Sequence, residues 1–332
     1  MRVILSLLLV PFLVPGWSGE ERLPSLGRAA RMEATPVALD PGDPGRRRVG
    51  RLLFEGGVVL SSPDRAFGGF SALAVEGDRF TLLSDGGNLV AFRMGRDRRP
   101  RSVRFGALPG GPGTGWWKLD RDSESLAIDR ATGRAWVGFE YHDAIWRYAP
   151  GFTAAEGGRA PAAMRRWPDA GGPESMARLR DGRFVVIAES ERVGRGGRAG
   201  LVFGGDPVRD PRAAFSFAYR PAPGFSPVDM AELPDGRLVV LERRFRLPFH
   251  WSTRIALVAR GAIRPGASVR GGTLAVLRAP LVHDNFEGIA AVREGPATAL
   301  WLVSDDNLMR PFQRTYLLKF RLNEKSDGKA TA

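Results

Sequence analysis

The chain has 332 residues, 43% hydrophobic, 9% aromatic and 26% charged, which places it among globular sequences of one large or two medium domains. Zero cysteines exclude disulfides, thiolate metal sites and a cysteine nucleophile, and three histidines (His142, His250, His283) exclude a His-rich metal centre. The net charge of +13 rests on arginines scattered along the chain without recognition-helix or zinc-finger spacing, so no nucleic-acid partner is expected.

In chain order, the first feature is Met1-Arg2 followed by an apolar run over residues 3–14, then Gly16-Trp17-Ser18. This short run with small residues behind it predicts a cleaved export signal over residues 1–18, hence a periplasmic or secreted protein. No later stretch is apolar enough to span a membrane. Residues 19–50 read as an extended N-terminal segment, 51–323 as the folded domain and 324–332 as a disordered tail.

One pattern then recurs. Ser71-Ala72-Leu73-Ala74, Glu124-Ser125-Leu126-Ala127, Glu174-Ser175-Met176-Ala177 and Glu287-Gly288-Ile289-Ala290 share a polar residue, a small residue, an apolar residue and Ala, and Asp229-Met230-Ala231 is a looser copy. The copies start about 50 to 58 residues apart, the spacing of propeller blades. Each is followed by a turn of the Asp-Gly-Arg kind (Asp181-Gly182-Arg183, Asp235-Gly236-Arg237) and a second apolar run. Glycine accepts the positive φ such a turn requires, so each unit opens as a β-hairpin.

Two weaker strand-like runs follow each hairpin, which gives four strands per unit and predicts an all-β propeller. Five blades are counted, and a sixth would need a degenerate unit in the longer connections. The last unit lacks a fourth strand, and residues 52–60 would supply it and close the ring.

In an antiparallel hairpin the start of the first strand neighbours the end of the second. The second runs end at Asp85, Glu140, Glu189, Glu242 and Asp305, so they and the acids opening each unit are expected around one mouth of the central channel. The expected metal-ligating set is Asp85, Glu124, Glu140, Glu189, Asp229, Glu242 and Asp306, and the expected catalytic set is Glu174, Glu287, Asp305 and His283. So many carboxylates must be protonated, paired with Arg or Lys, or neutralised by a cation. Hard oxygen donors favour calcium, or another divalent cation, over zinc. Arg243, Arg244, Arg310 and Arg314 are the candidate anion-binding residues beside them.

The motifs Phe67-Gly68-Gly69-Phe70-Ser71-Ala72-Leu73, Leu83-Ser84-Asp85, Asp122-Ser123-Glu124-Ser125-Leu126-Ala127 and Pro173-Glu174-Ser175-Met176-Ala177 resemble those of the phytase-like family ("esterase-like activity of phytase"). Leu241-Glu242-Arg243-Arg244-Phe245, Asp284-Asn285-Phe286-Glu287-Gly288-Ile289 and Leu302-Val303-Ser304-Asp305-Asp306-Asn307 continue the resemblance, over residues 52–322. It implies an exported propeller with phosphoester or ester hydrolysis. The metal and phosphate motifs of calcium-dependent propeller phytases are not found in order, so phytate itself is not carried over. Two functions are expected from the acidic mouth: metal-assisted hydrolysis of a small phosphate or carboxylic ester by a monomer, or ligand or protein binding without catalysis.

Overall fold

Apolar runs such as Phe184-Val185-Val186-Ile187-Ala188 bury alternate side chains on opposite faces, and a strand buried on both faces must lie between two neighbours. The computed structural model describes residues 23–168, 171–194, 196–247, 250–310 and 312–322 and shows how the chain satisfies this. The expected export signal and C-terminal tail lie outside the described residues.

Strands β1 (Glu33–Val37), β2 (Arg48–Val49) and β3 (Leu52–Ser61) come first. Blade one is β4 (Phe70–Glu76), β5 (Arg79–Ser84), β6 (Asn88–Met94) and β7 (Pro100–Ala107). Blade two follows a four-residue helix α1 (Lys118–Arg121), with β8 (Ser123–Ile128), β9 (Ala135–Phe139), β10 (Ala144–Tyr148) and β11 (Ala155–Arg159). Blade three is β12 (Ser175–Arg178), β13 (Phe184–Val193), β14 (Gly197–Phe203) and β15 (Ala213–Tyr219). Blade four is β16 (Ser226–Glu232), β17 (Leu238–Arg246), β18 (His250–Val258) and, after the short β19 (Ser268–Val269) that pairs in parallel with β15, β20 (Gly272–Leu277). Blade five is β21 (Asn285–Glu294), β22 (Ala297–Asp305) and β23 (Thr315–Leu322), completed by β3.

The innermost strands β4, β8, β12, β16 and β21 each pack against the next, and β21 returns to β4. The result is a five-bladed β-propeller. Leu322 faces Leu52 and Thr315 faces Leu60, so β3 closes the ring in the way the sequence predicts. The segment ahead of it does more than extend: β1 adds an outer strand, with Glu33 facing Ser61 and Val37 facing Gly57.

Five apolar clusters fill the five spaces between adjacent blades. Val185 and Ile187 face blade four, whereas Val186 and Ala188 face blade two. Each blade therefore stabilises both neighbours, and no blade has a solvated face to spare.

One irregularity recurs at the start of the innermost strands. The ladder slips between Phe70 and Ala72, Ser123 and Ser125, Pro227 and Asp229, and Phe286 and Gly288. A bulge leaves one residue unpaired and re-aims its side chain. The bulged residues are Ser71, Glu124, Val228 and Glu287, and Glu174 holds the matching place just before β12.

Candidate functional site

Three rings of residues converge where the bulges lie. The first is the bulge ring itself: Ser71, Glu124, Glu174, Val228 and Glu287. The second sits where each outgoing strand reaches the mouth. Counting five residues on from Phe80, Ala135, Phe184, Leu238 and Leu300 gives Asp85, Glu140, Glu189, Arg243 and Asp305. The third lies two residues before each bulge, where Asp122 and Asn285 bring their side chains in.

Eight carboxylates form one electrostatic cluster: Asp85, Asp122, Glu124, Glu140, Glu174, Glu189, Glu287 and Asp305. Among the described residues, Lys118 and Arg243 form ion pairs with them. Lys118 Nζ lies 3.0 Å from Asp85 Oδ2 and 3.4 Å from Asp122 Oδ1. Arg243 Nη2 donates to Glu189 Oε1 at 3.0 Å, and Nη1 donates to Asn285 Oδ1 at 2.9 Å and to Glu287. Asn285 Nδ2 in turn donates to Glu287 Oε1 at 2.9 Å.

Eight acids against two bases leave the mouth strongly negative, and its titration follows. Burial first, then Glu174, Asp122, Glu287 and Asp85, push the Glu124 carboxyl well above its usual range. Glu174 is raised by burial and Glu189 against the pull of Arg243, and Asp305 by burial, Glu287 and Asp85. Glu140 is pushed up to about 7 by burial and by Asp122, with which it shares a hydrogen bond. Burial also raises Asp85, against Lys118, and Glu287, against Arg243. Burial opposes the Lys118 ammonium, but Asp85 and Asp122 hold its proton more firmly than usual.

Asp122, Glu124 and Glu140 each offer a carboxylate oxygen within 4.8 Å of the others. Two oxygens on opposite sides of a calcium ion stand about 4.8 Å apart, at roughly 2.4 Å each. Asp122 Oδ1 is buried with only the Lys118 ammonium beside it, at 3.4 Å, and the all-oxygen donor set of this trio fits a hard divalent cation.

Other predicted residues lie elsewhere. Asp229 occupies the place of Ser125 and Ser175, one residue past the bulge, and accepts the backbone N–H groups of Met230 at 2.8 Å and Ile289 at 2.7 Å. It ties blade four to blade five. Glu242 is fully buried and accepts from Tyr219 Oη at 2.6 Å, Arg254 Nη1 at 2.7 Å and the Ala222 N–H at 3.1 Å. Its strand neighbour Arg243 takes the mouth position instead, because side chains alternate. Asp306 accepts from the N–H groups of Gly69 at 2.9 Å and Leu308 at 3.1 Å, and closes blade five onto blade one.

His283 places Nδ1 2.7 Å from the Leu281 carbonyl, beside Asp284 rather than among the mouth acids. Arg310 donates to the carbonyls of Asp64 and Phe67 at 2.7 and 2.6 Å, and Arg244 stacks 4.5 Å over Phe225. Arg314 is exposed on the loop that follows β22. Of the four arginines, Arg243 alone enters the cluster.

Among solved structures, the chain is similar to the major Malassezia sympodialis allergen Mala s 1, with 12% identity over 93% of this chain and 98% of that one and a TM-score of 0.42. It is similar to Kuenenia stuttgartiensis hydrazine synthase, with 14% identity over 90% and 82% and a TM-score of 0.38. It is also similar to a structural-genomics protein of unknown function from Bacteroides thetaiotaomicron, with 10% identity over 91% and 84% and a TM-score of 0.44. No curated protein matches the chain. Residues 65–308 match the family described as phytase-like, esterase-like activity of phytase, and this stretch spans every bulge from Ser71 to Glu287 and runs beyond Asp305. The chain is a five-bladed propeller of the phytase-like family, with an acidic mouth at the bulged ends of its innermost strands.

Proposed function

We propose that this propeller is an exported hydrolase that binds a divalent cation at Asp122, Glu124 and Glu140 and cleaves a phosphate or carboxylic ester at the mouth. The observation that carries the reading is the surplus of eight carboxylates over Lys118 and Arg243, with three of them at cation-binding separation. A bound cation would supply Lewis acidity to an ester oxygen. Glu174, whose carboxyl burial and Glu189 push toward the protonated form, would donate its proton to the leaving oxygen. Glu287, pulled toward ionisation by Arg243, would accept the proton of the attacking water. Arg243 positions Glu287 and Glu189 and keeps a fixed positive charge beside the reacting centre.

A second reading, ligand binding without catalysis, is favoured by the saturation of Arg243: Glu189, Asn285 and Glu287 already take its N–H groups. One experiment separates the two. Turnover of a generic phosphomonoester and of a short acyl ester is measured with calcium, after chelation, and in Glu174→Gln. Cation-dependent turnover lost in a folded Glu174→Gln supports hydrolysis. No turnover under any condition, with stabilisation by calcium, leaves the binding reading.

A further inference from the structure

The exposed large apolar side chains among the described residues are Trp116, Leu119, Tyr141, Phe245, Leu247, Leu308, Met309 and Phe312. Every one lies at the mouth end of the propeller: in the connection into blade two, the β9–β10 turn, the β17–β18 hairpin or the β22–β23 loop. The opposite end, with its Asp-Gly-Arg turns, presents none of them. Leu247 is 84% exposed and Phe312 71%, far more than a loop needs for its own packing.

Basic residues stand between these tips. Arg246 and Arg314 are exposed on two of the same loops, and Arg192 is exposed on the β13 extension at that end. Among the described residues, no carboxylate lies within ion-pair distance of these three. Arg244 is held below its ordinary pKa by burial and by Arg246 and Arg278, which shows that like charges crowd there.

We propose that the mouth face docks onto an anionic lipid surface, with Phe245, Leu247, Leu308 and Phe312 entering the acyl boundary and Arg192, Arg246 and Arg314 meeting the headgroups. The distribution favours a bilayer over a protein partner. A protein interface is built on one contiguous, closely packed apolar centre. Here the centre is a recessed acidic pit and the apolar tips ring it on separate loops, an arrangement that a fluid surface accepts without shape complementarity. The arginine rim and the +13 net charge complement anionic headgroups, and four of the mouth acids, Asp122, Glu174, Glu287 and Asp305, are buried beneath it. This inference stands apart from the hydrolase reading, since it uses none of the cluster.

The test is sedimentation of the purified protein with vesicles of phosphatidylglycerol and phosphatidylcholine, and with phosphatidylcholine alone. Binding is expected only with the anionic lipid, and it should weaken about tenfold between roughly 50 and 500 mM salt. Leu247→Ser with Leu308→Ser should weaken it at least about tenfold while leaving the melting temperature unchanged, because both side chains are exposed. Failure to bind anionic vesicles overturns the proposal, as does equal binding to both lipids. Undiminished binding by the double variant also overturns it. Binding to polyglutamate but not to vesicles would give the face to an acidic protein instead.

Discussion

Raising the pH through the range between the ordinary glutamate pKa of 4.5 and the value of about 7 for Glu140 destabilises the protein when divalent cations are chelated. In that window folded Glu140 keeps a proton that the unfolded chain has lost. The folded state therefore binds more protons, and stability falls as pH rises. The interval of about 2.5 pH units corresponds to about 3.4 kcal/mol, and the third of Glu140 that stays solvated reduces this to about 2 kcal/mol. Glu124, Glu174 and Asp305 act in the same direction, so about 2 kcal/mol is a floor. For a chain of this size that is a fall in Tm of at least about 4 °C. The assay is thermal unfolding in chelator at pH 5 and pH 7.5, repeated with calcium. Calcium at about 100 times its Kd would add about 2.7 kcal/mol at the higher pH and much less at the lower, where protons compete. A Tm in chelator that is flat or rises between these pH values would refute the reasoning, because it would mean the carboxylates are not crowded in the fold.

Three further outcomes follow from individual contacts. Glu242→Gln leaves Arg254 buried beside a neutral amide and should cost about 3 kcal/mol in urea unfolding without changing the calcium-induced rise in Tm. The double variant Asp122→Asn, Glu140→Gln should show the reverse: a higher Tm in chelator at pH 7.5, and little response to calcium. Gly138→Ala places a Cβ 2.3 Å from Ser125 Oγ and 2.8 Å from the Pro173 carbonyl, breaking the hydroxyl link between blades two and three, with a loss of about 1–3 kcal/mol.

The propeller was legible in the sequence because its period is strong: a polar residue opening each unit, a glycine turn, and an apolar run, repeated five times. The gathering of Glu124, Glu174 and Glu287 at one end followed from hairpin geometry alone. What was misplaced lies mostly in blade four, by a single residue. Asp229 and Glu242 are the nearest acids to the expected positions there, yet the bulge falls on the apolar Val228 and the count from the turn puts Arg243 in the mouth. A one-residue slip moves a strand side chain to the opposite face, and here it sends both acids into the spaces between blades. The missing signal was spacing rather than residue type, since Arg243 follows Leu238 by the same five residues that separate Phe80 from Asp85. Asp122 was passed over for a related reason. It lies outside the repeated four-residue pattern, two positions before the bulge, and a bulge leaves no mark on apolar periodicity.

That exception in blade four is the most informative feature of the mouth. Where the repeat would place a fifth acid at the ends of the outgoing strands, the chain carries Arg243, and where it would place another glutamate, it carries Val228, packed in the core between blades four and five. The charge inserted at this point is bound by two carboxylates from different blades, Glu189 and Glu287, so it acts as a permanent internal counter-ion that a dissociable metal cannot replace. Arg243→Glu would restore the repeat and raise the imbalance from eight acids with two bases to nine with one. Removing one partner of a buried ion pair costs about 3–5 kcal/mol, and a carboxylate in its place adds repulsion to that loss. The variant should therefore unfold in chelator at pH 7.5 under conditions in which the parent is folded, and recover with calcium or at pH 5, where the glutamates hold their protons. If Arg243→Glu is as stable as the parent in chelator at pH 7.5, the arginine is not what lets this acidic mouth exist without a metal.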